Sequence, residues 1–421
     1  MLFGAGLSVA LRCAGIGLSY VANIMLSRLL GAQDFGRYVI ALGWALVLTL
    51  PARAGFEHSS LRFATVYFEQ RQSGLLRGFF RTAFTTVVVL SLLIGCVMAA
   101  AGWSASSFSI VAGAAIILPI AALGVASPML RAAQRIMASQ LYDQIVRPAV
   151  LILGIGLAVL AGRRMSVEGA LLLTAFAALA ALAALLVEFR SVFAPATRAP
   201  ADYAEWRRWF ALSVPMLLIA SMQELMNQME VILLGHLATA TDAGLFAAAW
   251  RLASLTPFAL AALTGIAGPQ IASSYHRGAL DELSSLSRLI ARIGLLIAIG
   301  AAALLVLFGR PLLGLFGPGF DTAYPVLVAL TIGGLVNAFT GVVAYMMTLT
   351  GRERPALAIF AGALAISVLF NLLLIPRFGA LGAAIASSSA TAAWNLAMLV
   401  YVRRTLGIDA SALALARRER A

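Results

Sequence analysis

The decapeptide SMQELMNQME, residues 221–230, sets two glutamates, two glutamines and an asparagine inside the apolar run FALSVPMLLIASMQELMNQMEVILLGHLA. On a helix Gln223, Asn227 and Glu230 step by four and three, and Glu224 and Gln228 flank them, so all five cover one broad side. A polar side on a membrane helix faces a water-filled cavity or another polar helix. The carboxylates there could pair with an arginine, hold a coupling cation such as H+ or Na+, or bind sugar hydroxyls. The bland alternative is a structural hydrogen-bond network between helices. Asn337 and Asn395 are of that interhelical kind.

Arginines form the second group. Ser8, Arg12, Gly15, Ser19 and Asn23 share one face of an otherwise apolar first helix. An arginine near the bilayer centre costs a few kcal/mol or more unless it meets water or a partner. That stripe is therefore expected to face the protein interior, although Arg12 lies close enough to the helix start to snorkel. Arg251, in LFAAAWRLASLTPFAL, sits too deep for that. Arg147 precedes Pro148 near a helix end, and Arg53 closes another; each can equally be a cavity residue or an ordinary structural one. A guanidinium makes planar, bidentate, charge-assisted contacts with phosphate oxygens, so arginines in such positions suit a phosphorylated anion.

The elements that hold these residues are helices in lipid. The chain has 421 residues, 62% hydrophobic and 11% charged, against about half and a quarter in soluble domains. A span needs about 20 apolar residues. The continuous, non-alternating runs read as helices rather than a barrel. Twelve spans are predicted, at roughly 5–30, 36–56, 80–101, 109–129, 141–161, 169–187, 211–236, 243–265, 288–308, 324–348, 356–375 and 380–402. The segment 188–210, Pro/Ala-rich and then bearing Trp206 and Trp209, divides them six and six. The expected organisation is a lobe over 1–187, a cytoplasmic linker over 188–210, a lobe over 211–402 and a basic cytoplasmic tail over 403–421.

The net charge of +13 is all arginine, with no lysine. Twenty-one of the 30 arginines fall in the even-to-odd loops and the tail, six in the opposite loops. That bias places both termini in the cytoplasm of a multi-pass protein and removes any need to invoke nucleic acid. Cys13 and Cys96 both lie in apolar runs and suggest neither disulfide nor metal. The N-terminus lacks a basic region ahead of its apolar stretch and reads as a first span rather than a signal peptide.

The two halves resemble each other. LSRLLGAQDFGRYVIAL (26–42) aligns with LGHLATATDAGLFAAAW (234–250), setting Asp34, Gly36 and Tyr38 on Asp242, Gly244 and Phe246. Gly169-Ala170 pairs with Gly382-Ala383 in the same way. Six-span repeats of like orientation are a transporter signature. The first of these stretches, with RAAQRIMASQLYDQIVRPAV (131–150) and NLLLIPRFGALGAAIA (371–386), resembles bacterial polysaccharide flippases of the multidrug/oligosaccharidyl-lipid/polysaccharide exporter superfamily. The resemblance implies an all-α, V-shaped pair of six-helix lobes that alternates access across the bacterial inner membrane. It also implies a polyprenyl-diphosphate-linked oligosaccharide as cargo, for O-antigen, capsule or exopolysaccharide. A monomer is expected, with a glycan polymerase or other assembly proteins as candidate partners. Arg12, Asn23, Arg147, Arg251, Glu224, Asn227, Gln228 and Glu230 are the expected substrate-binding residues.

Two other readings compete. A cation-coupled multidrug exporter of the same superfamily would favour acidic residues, which Glu224 and Glu230 supply. A membrane polymerase or glycosyltransferase should carry a large catalytic loop, whereas GRPLLGLFGPGFDTAYP holds one acid, Asp321, and no histidine. His58, His236 and His276 have no metal spacing, and there is no phosphate loop. A transporter that is not an enzyme and uses no cofactor is the expectation.

Overall fold

The computed structural model describes residues 2–104, 108–162, 164–194 and 199–413. Fourteen α-helices are described: α1 (Leu2–Arg53), α2 (Phe56–Glu69), α3 (Ser73–Ser104), α4 (Phe108–Ala132), α5 (Ile136–Gln140), α6 (Arg147–Leu160), α7 (Val167–Val192), α8 (Trp206–Leu237), α9 (Ala240–Ala253), α10 (Leu255–His276), α11 (Leu280–Gly314), α12 (Tyr324–Thr340), α13 (Val343–Leu349) and α14 (Glu353–Leu406). A π-helical turn, Leu141–Val146, joins α5 to α6, and a 3₁₀ turn, Phe320–Ala323, precedes α12. There is no β-strand among the described residues.

Among the described residues, eight helices are long and apolar enough to cross a membrane. Two of them, Ala10–Arg53 (44 residues) and Arg354–Leu406 (53 residues), are far longer than one crossing needs. Each is broken at a glycine: Gly31 has φ 75° and ψ 172°, and Gly379 has φ 53° and ψ −130°. Each therefore supplies two crossings. Counted with α8 and the α9–α10 pair, the described helices are enough for the twelve crossings expected from the apolar runs. The Gly379 turn is held from outside, because the Asp242 carboxylate accepts from Ala380 N–H at 3.2 Å. A Cβ on Gly379 would lie 2.6 Å from that same oxygen.

The packing divides into two compact units, Met1–Ile232 and Leu233–Ala421. The division falls inside α8, beyond the 188–210 linker at which the sequence suggests a boundary. In the first unit α4 lies among α1, α2, α3 and α7. In the second, α12 packs on α9, α11 and α14. Asn395 of α14 is buried there; it accepts from Thr340 Oγ1 at 2.6 Å and donates to Thr391 O at 2.9 Å. This is the interhelical role its sequence context suggests.

Two elements were not foreseen. Residues 53–81 read as a loop but contain α2, an amphipathic helix that buries Phe56, Ser59, Ser60, Phe63, Ala64 and Tyr67. These recur at three- and four-residue steps, and six charged or amide residues from 57 to 72 lower the mean hydropathy enough to hide that face. The span over 141–161 opens with π-helical rather than α-helical winding, which local sequence does not mark.

Candidate functional site

The first unit concentrates arginines at the even-to-odd ends of its spans. The chain leaves α1 through Ala54 and Gly55, both left-handed, at φ 48° and φ 78°. A side chain at Gly55 is excluded, since its Cβ would stand 1.9 Å from Ser213 O of α8. This tight turn brings Glu57, in the first turn of α2, against Arg53, and the two form an ion pair. Arg53 Nη2 also points at Ile120 O of α4, 3.4 Å away. One turn further along α4, Gly124 leaves room for the guanidinium: a Cβ there would lie 2.6 Å from Arg53 Nε.

Arg131 closes α4, within the electrostatic reach of Glu57, Arg12 and Asp143. Asp143, in the π-helical turn, pairs with Arg147 at 3.5 Å. Gly15 of α1 lets that turn approach closely, since a Cβ there would be 2.6 Å from Gln144 O. Arg12, one turn before Gly15, is thereby carried to the same corner. Arg53 thus pairs with Glu57 and Arg147 with Asp143, while Arg131 lies within electrostatic reach of both carboxylates and of Arg12. Nε of Arg53, Nε of Arg131 and Oε1 of Gln144 are buried without a hydrogen-bond partner among the described residues. Buried charge is expensive unless paired and hydrogen-bonded. A cluster with surplus guanidinium charge and unsatisfied N–H donors is equipped to hold a multiply charged oxyanion.

Of the residues expected from sequence, Arg147 pairs with Asp143, and Arg12 lies within electrostatic reach of Arg131. Asn23 does not join it through its amide, which donates to Ser19 O on its own helix at 2.7 Å. On α8, Gln228 donates to Glu224 at 2.9 Å, so these two satisfy each other along the helix. Glu230 is buried and Asn227 exposed. Gln228 and Ile232 face α1 at Gly43, where a Cβ would lie 3.6 Å and 3.5 Å from them. The Gln223 side chain lies outside the described residues. Arg251, half-buried on α9, belongs to the second unit and donates to Ala247 O at 3.3 Å. Arg131, Glu57 and Asp143 were not expected as site residues. Their common position, at the same ends of successive spans, was the available signal.

A curated relative, the probable flippase AglR of Haloferax volcanii, is 29% identical over 167 residues, covering 38% of this chain and 34% of that protein. The match therefore spans about a third of the relative's length. Among solved structures, an inward-facing multidrug resistance MATE family transporter of the MOP superfamily superposes with a TM-score of 0.78 at 13% identity, over 96% of this chain and 98% of that one. The lipid II flippase MurJ, in an inward closed conformation, gives 0.74 at 13% identity, over 94% and 87%. At these identities the likeness establishes the fold alone, the one shared with these two transporters. The polysaccharide biosynthesis protein family matches residues 3–275, which is most of the sequence and contains the whole arginine cluster, and the chain belongs to that family.

Proposed function

We propose that this protein is a flippase that moves a lipid-diphosphate-linked oligosaccharide across the bacterial inner membrane for surface polysaccharide synthesis. The head group crosses by alternating access while the lipid tail stays in the bilayer. One observation carries the reading: Arg53, Arg131 and Arg147 gather about Glu57 and Asp143 in the first unit, with Arg12 in electrostatic reach of Arg131 and two buried guanidinium Nε atoms without a hydrogen-bond partner among the described residues. A diphosphate presents enough oxygens for several such forks at once. Family membership and the flippase among the structural neighbours support it, as does the lack of any nucleotide-binding motif. Arg251 extends the same chemistry to the second unit, and the amides and carboxylates of α8 suit sugar hydroxyls or a coupling H+ or Na+.

The test is complementation of a strain lacking its lipid-linked-glycan flippase, with membrane expression measured in parallel. Arg131→Gln and Arg251→Ala should each lower glycan export by about ten- to a hundredfold, the loss of one charge-assisted contact. Arg131→Lys and Arg251→Lys keep the charge without the fork and should retain part of it. Buried Glu230 and the MATE likeness favour a second reading, a cation-coupled drug exporter. Full glycan export by all four variants, together with drug resistance that depends on Glu230, would select that reading instead.

A further inference from the structure

The second unit holds a cavity that the transport reading does not use. It measures about 840 Å³ and lies where α10 ends and α11 begins. Gln270, Ser273 and Ser274 of α10 and Arg277, which caps its end, line it at three- and four-residue steps. Ser285, Arg288 and Arg292 line it from α11 in the same register. Two consecutive helices thus turn polar faces toward one space. Three arginines share it with a single carboxylate, Glu282, whose Oε2 accepts from Arg277 Nη2 at 2.7 Å. Arg292 Nε donates to Ala412 O at 3.1 Å, which ties the cavity to the segment that follows α14.

The surroundings add a second, apolar feature. Leu289 lines the cavity, and Leu289, Ile293 and Leu296 form an exposed strip down α11. At 35 residues and about 1.5 Å per residue, α11 exceeds the ~30 Å hydrocarbon core. Its first turns therefore lie at head-group level, while the strip runs on into the core. Arg403 and Arg404, in the last turn of α14, begin the basic tail, which the arginine bias puts on the same side as this corner. By the arginine bias this is the cytoplasmic side, whose leaflet is rich in anionic lipid and attracts basic pockets between helices.

We propose that this cavity binds the phosphate head group of an anionic phospholipid, with an acyl chain lying along Leu289, Ile293 and Leu296. Arg288 and Arg292 present guanidinium forks to the phosphate. Ser273 and Ser285 offer hydroxyls to the rest of the head group. Arg277 is shared between the phosphate and Glu282. Inorganic phosphate has the same anionic chemistry but gains nothing from the apolar strip. The assignment is independent of which cargo the protein carries.

The experiment uses the purified full-length protein in neutral detergent. Bound lipid is counted by native mass spectrometry during titration with phosphatidylglycerol, phosphatidylcholine or inorganic phosphate. Phosphatidylglycerol should bind at least tenfold more tightly than phosphatidylcholine. Arg288→Gln should weaken it about tenfold. Glu282→Gln, which releases Arg277, should tighten it several-fold, a gain that a folding defect cannot produce. Equal binding of the two lipids, or unchanged phosphatidylglycerol affinity in both variants, would overturn the proposal. Displacement of the lipid by an equal concentration of inorganic phosphate would overturn the lipid assignment in favour of a free anion.

Discussion

A methyl group on Gly124 would stand 2.6 Å from Nε and 2.7 Å from Cζ of Arg53. The atoms met are the end of a flexible side chain, so the guanidinium rather than the helix backbone gives way. Gly124→Ala is therefore expected to push Arg53 off Glu57 and Ile120 while leaving α4 helical, since alanine is the better helix former. On the proposed flippase function, glycan export should fall about tenfold or more, the scale of one misplaced charge-assisted contact. Gly156→Ala, on α6 where a Cβ meets open space, should leave export unchanged. The pair is read by complementation and by the amount of folded protein in the membrane; equal export by both would remove the link between Gly124 and the cluster. At this scale the sequence showed arginines but not their neighbours. Arg12 and Arg147 stood out because they interrupt apolar helix. Arg131, at a span end, reads as a loop residue, and Arg53 as equally a cavity or a loop residue; only packing reveals that their Nε atoms are buried.

The start of α8 and the chain before it are strapped to α2 and α3. Tyr67 donates to Glu205 at 2.6 Å and accepts from Trp209 Nε1 at 2.9 Å. Ser59 and Ser213 lie 2.6 Å apart, hydroxyl to hydroxyl. Asp202 N–H donates to Gly74 O at 3.0 Å. Burial, and then the bond to Glu205, push the Tyr67 phenol up from 10.0 to about 12. The folded state thus keeps this proton where the unfolded chain loses it. The resulting stability is complete below about pH 10 and is lost as pH rises toward 12. Thermal unfolding of the purified protein should show this decline, and Tyr67→Phe should lack it while being less stable at pH 8 by about 1–3 kcal/mol. Parallel pH profiles for the two proteins would refute the strap as a titrating contact. The spans themselves were legible, because long apolar runs leave helices few alternatives in lipid. The strap was not. Its partners are 138 and 142 residues apart in sequence, and periodicity carries no information at that separation.

Across the whole molecule, the weak internal repeat coincides with the places where the chain turns. Aligning 26–42 with 234–250 sets Gly31, the break in α1, on Thr239, whose extended backbone and hydroxyl cap the start of α9. Aligning Gly169-Ala170 with Gly382-Ala383 sets Ser166, the cap of α7, on Gly379, the break in α14. Different residues thus end a span at corresponding points, by left-handed glycine in one copy and by a capped helix start in the other. Six crossings per repeat return the chain to its starting side, so the arginine bias fixes every loop at once. Gln72 is then expected in the cytoplasm and Arg164 outside, with the crossings α3, α4 and α5–α6 between them. Both residues are exposed and lie between helices. A cysteine belongs at Arg164 rather than at Ser166, because the Ser166 hydroxyl accepts from Gly169 N–H at 3.1 Å and its loss would fray α7. The native Cys13 and Cys96 are exposed and would first be changed to alanine. An impermeant maleimide applied to intact cells with a permeabilised outer membrane should then label Arg164→Cys and spare Gln72→Cys until the inner membrane is opened. The reverse pattern would invert the topology and move the arginine cluster to the outer face. Labelling of both positions from outside would break the odd number of crossings between them, and with it the twelve-span arrangement.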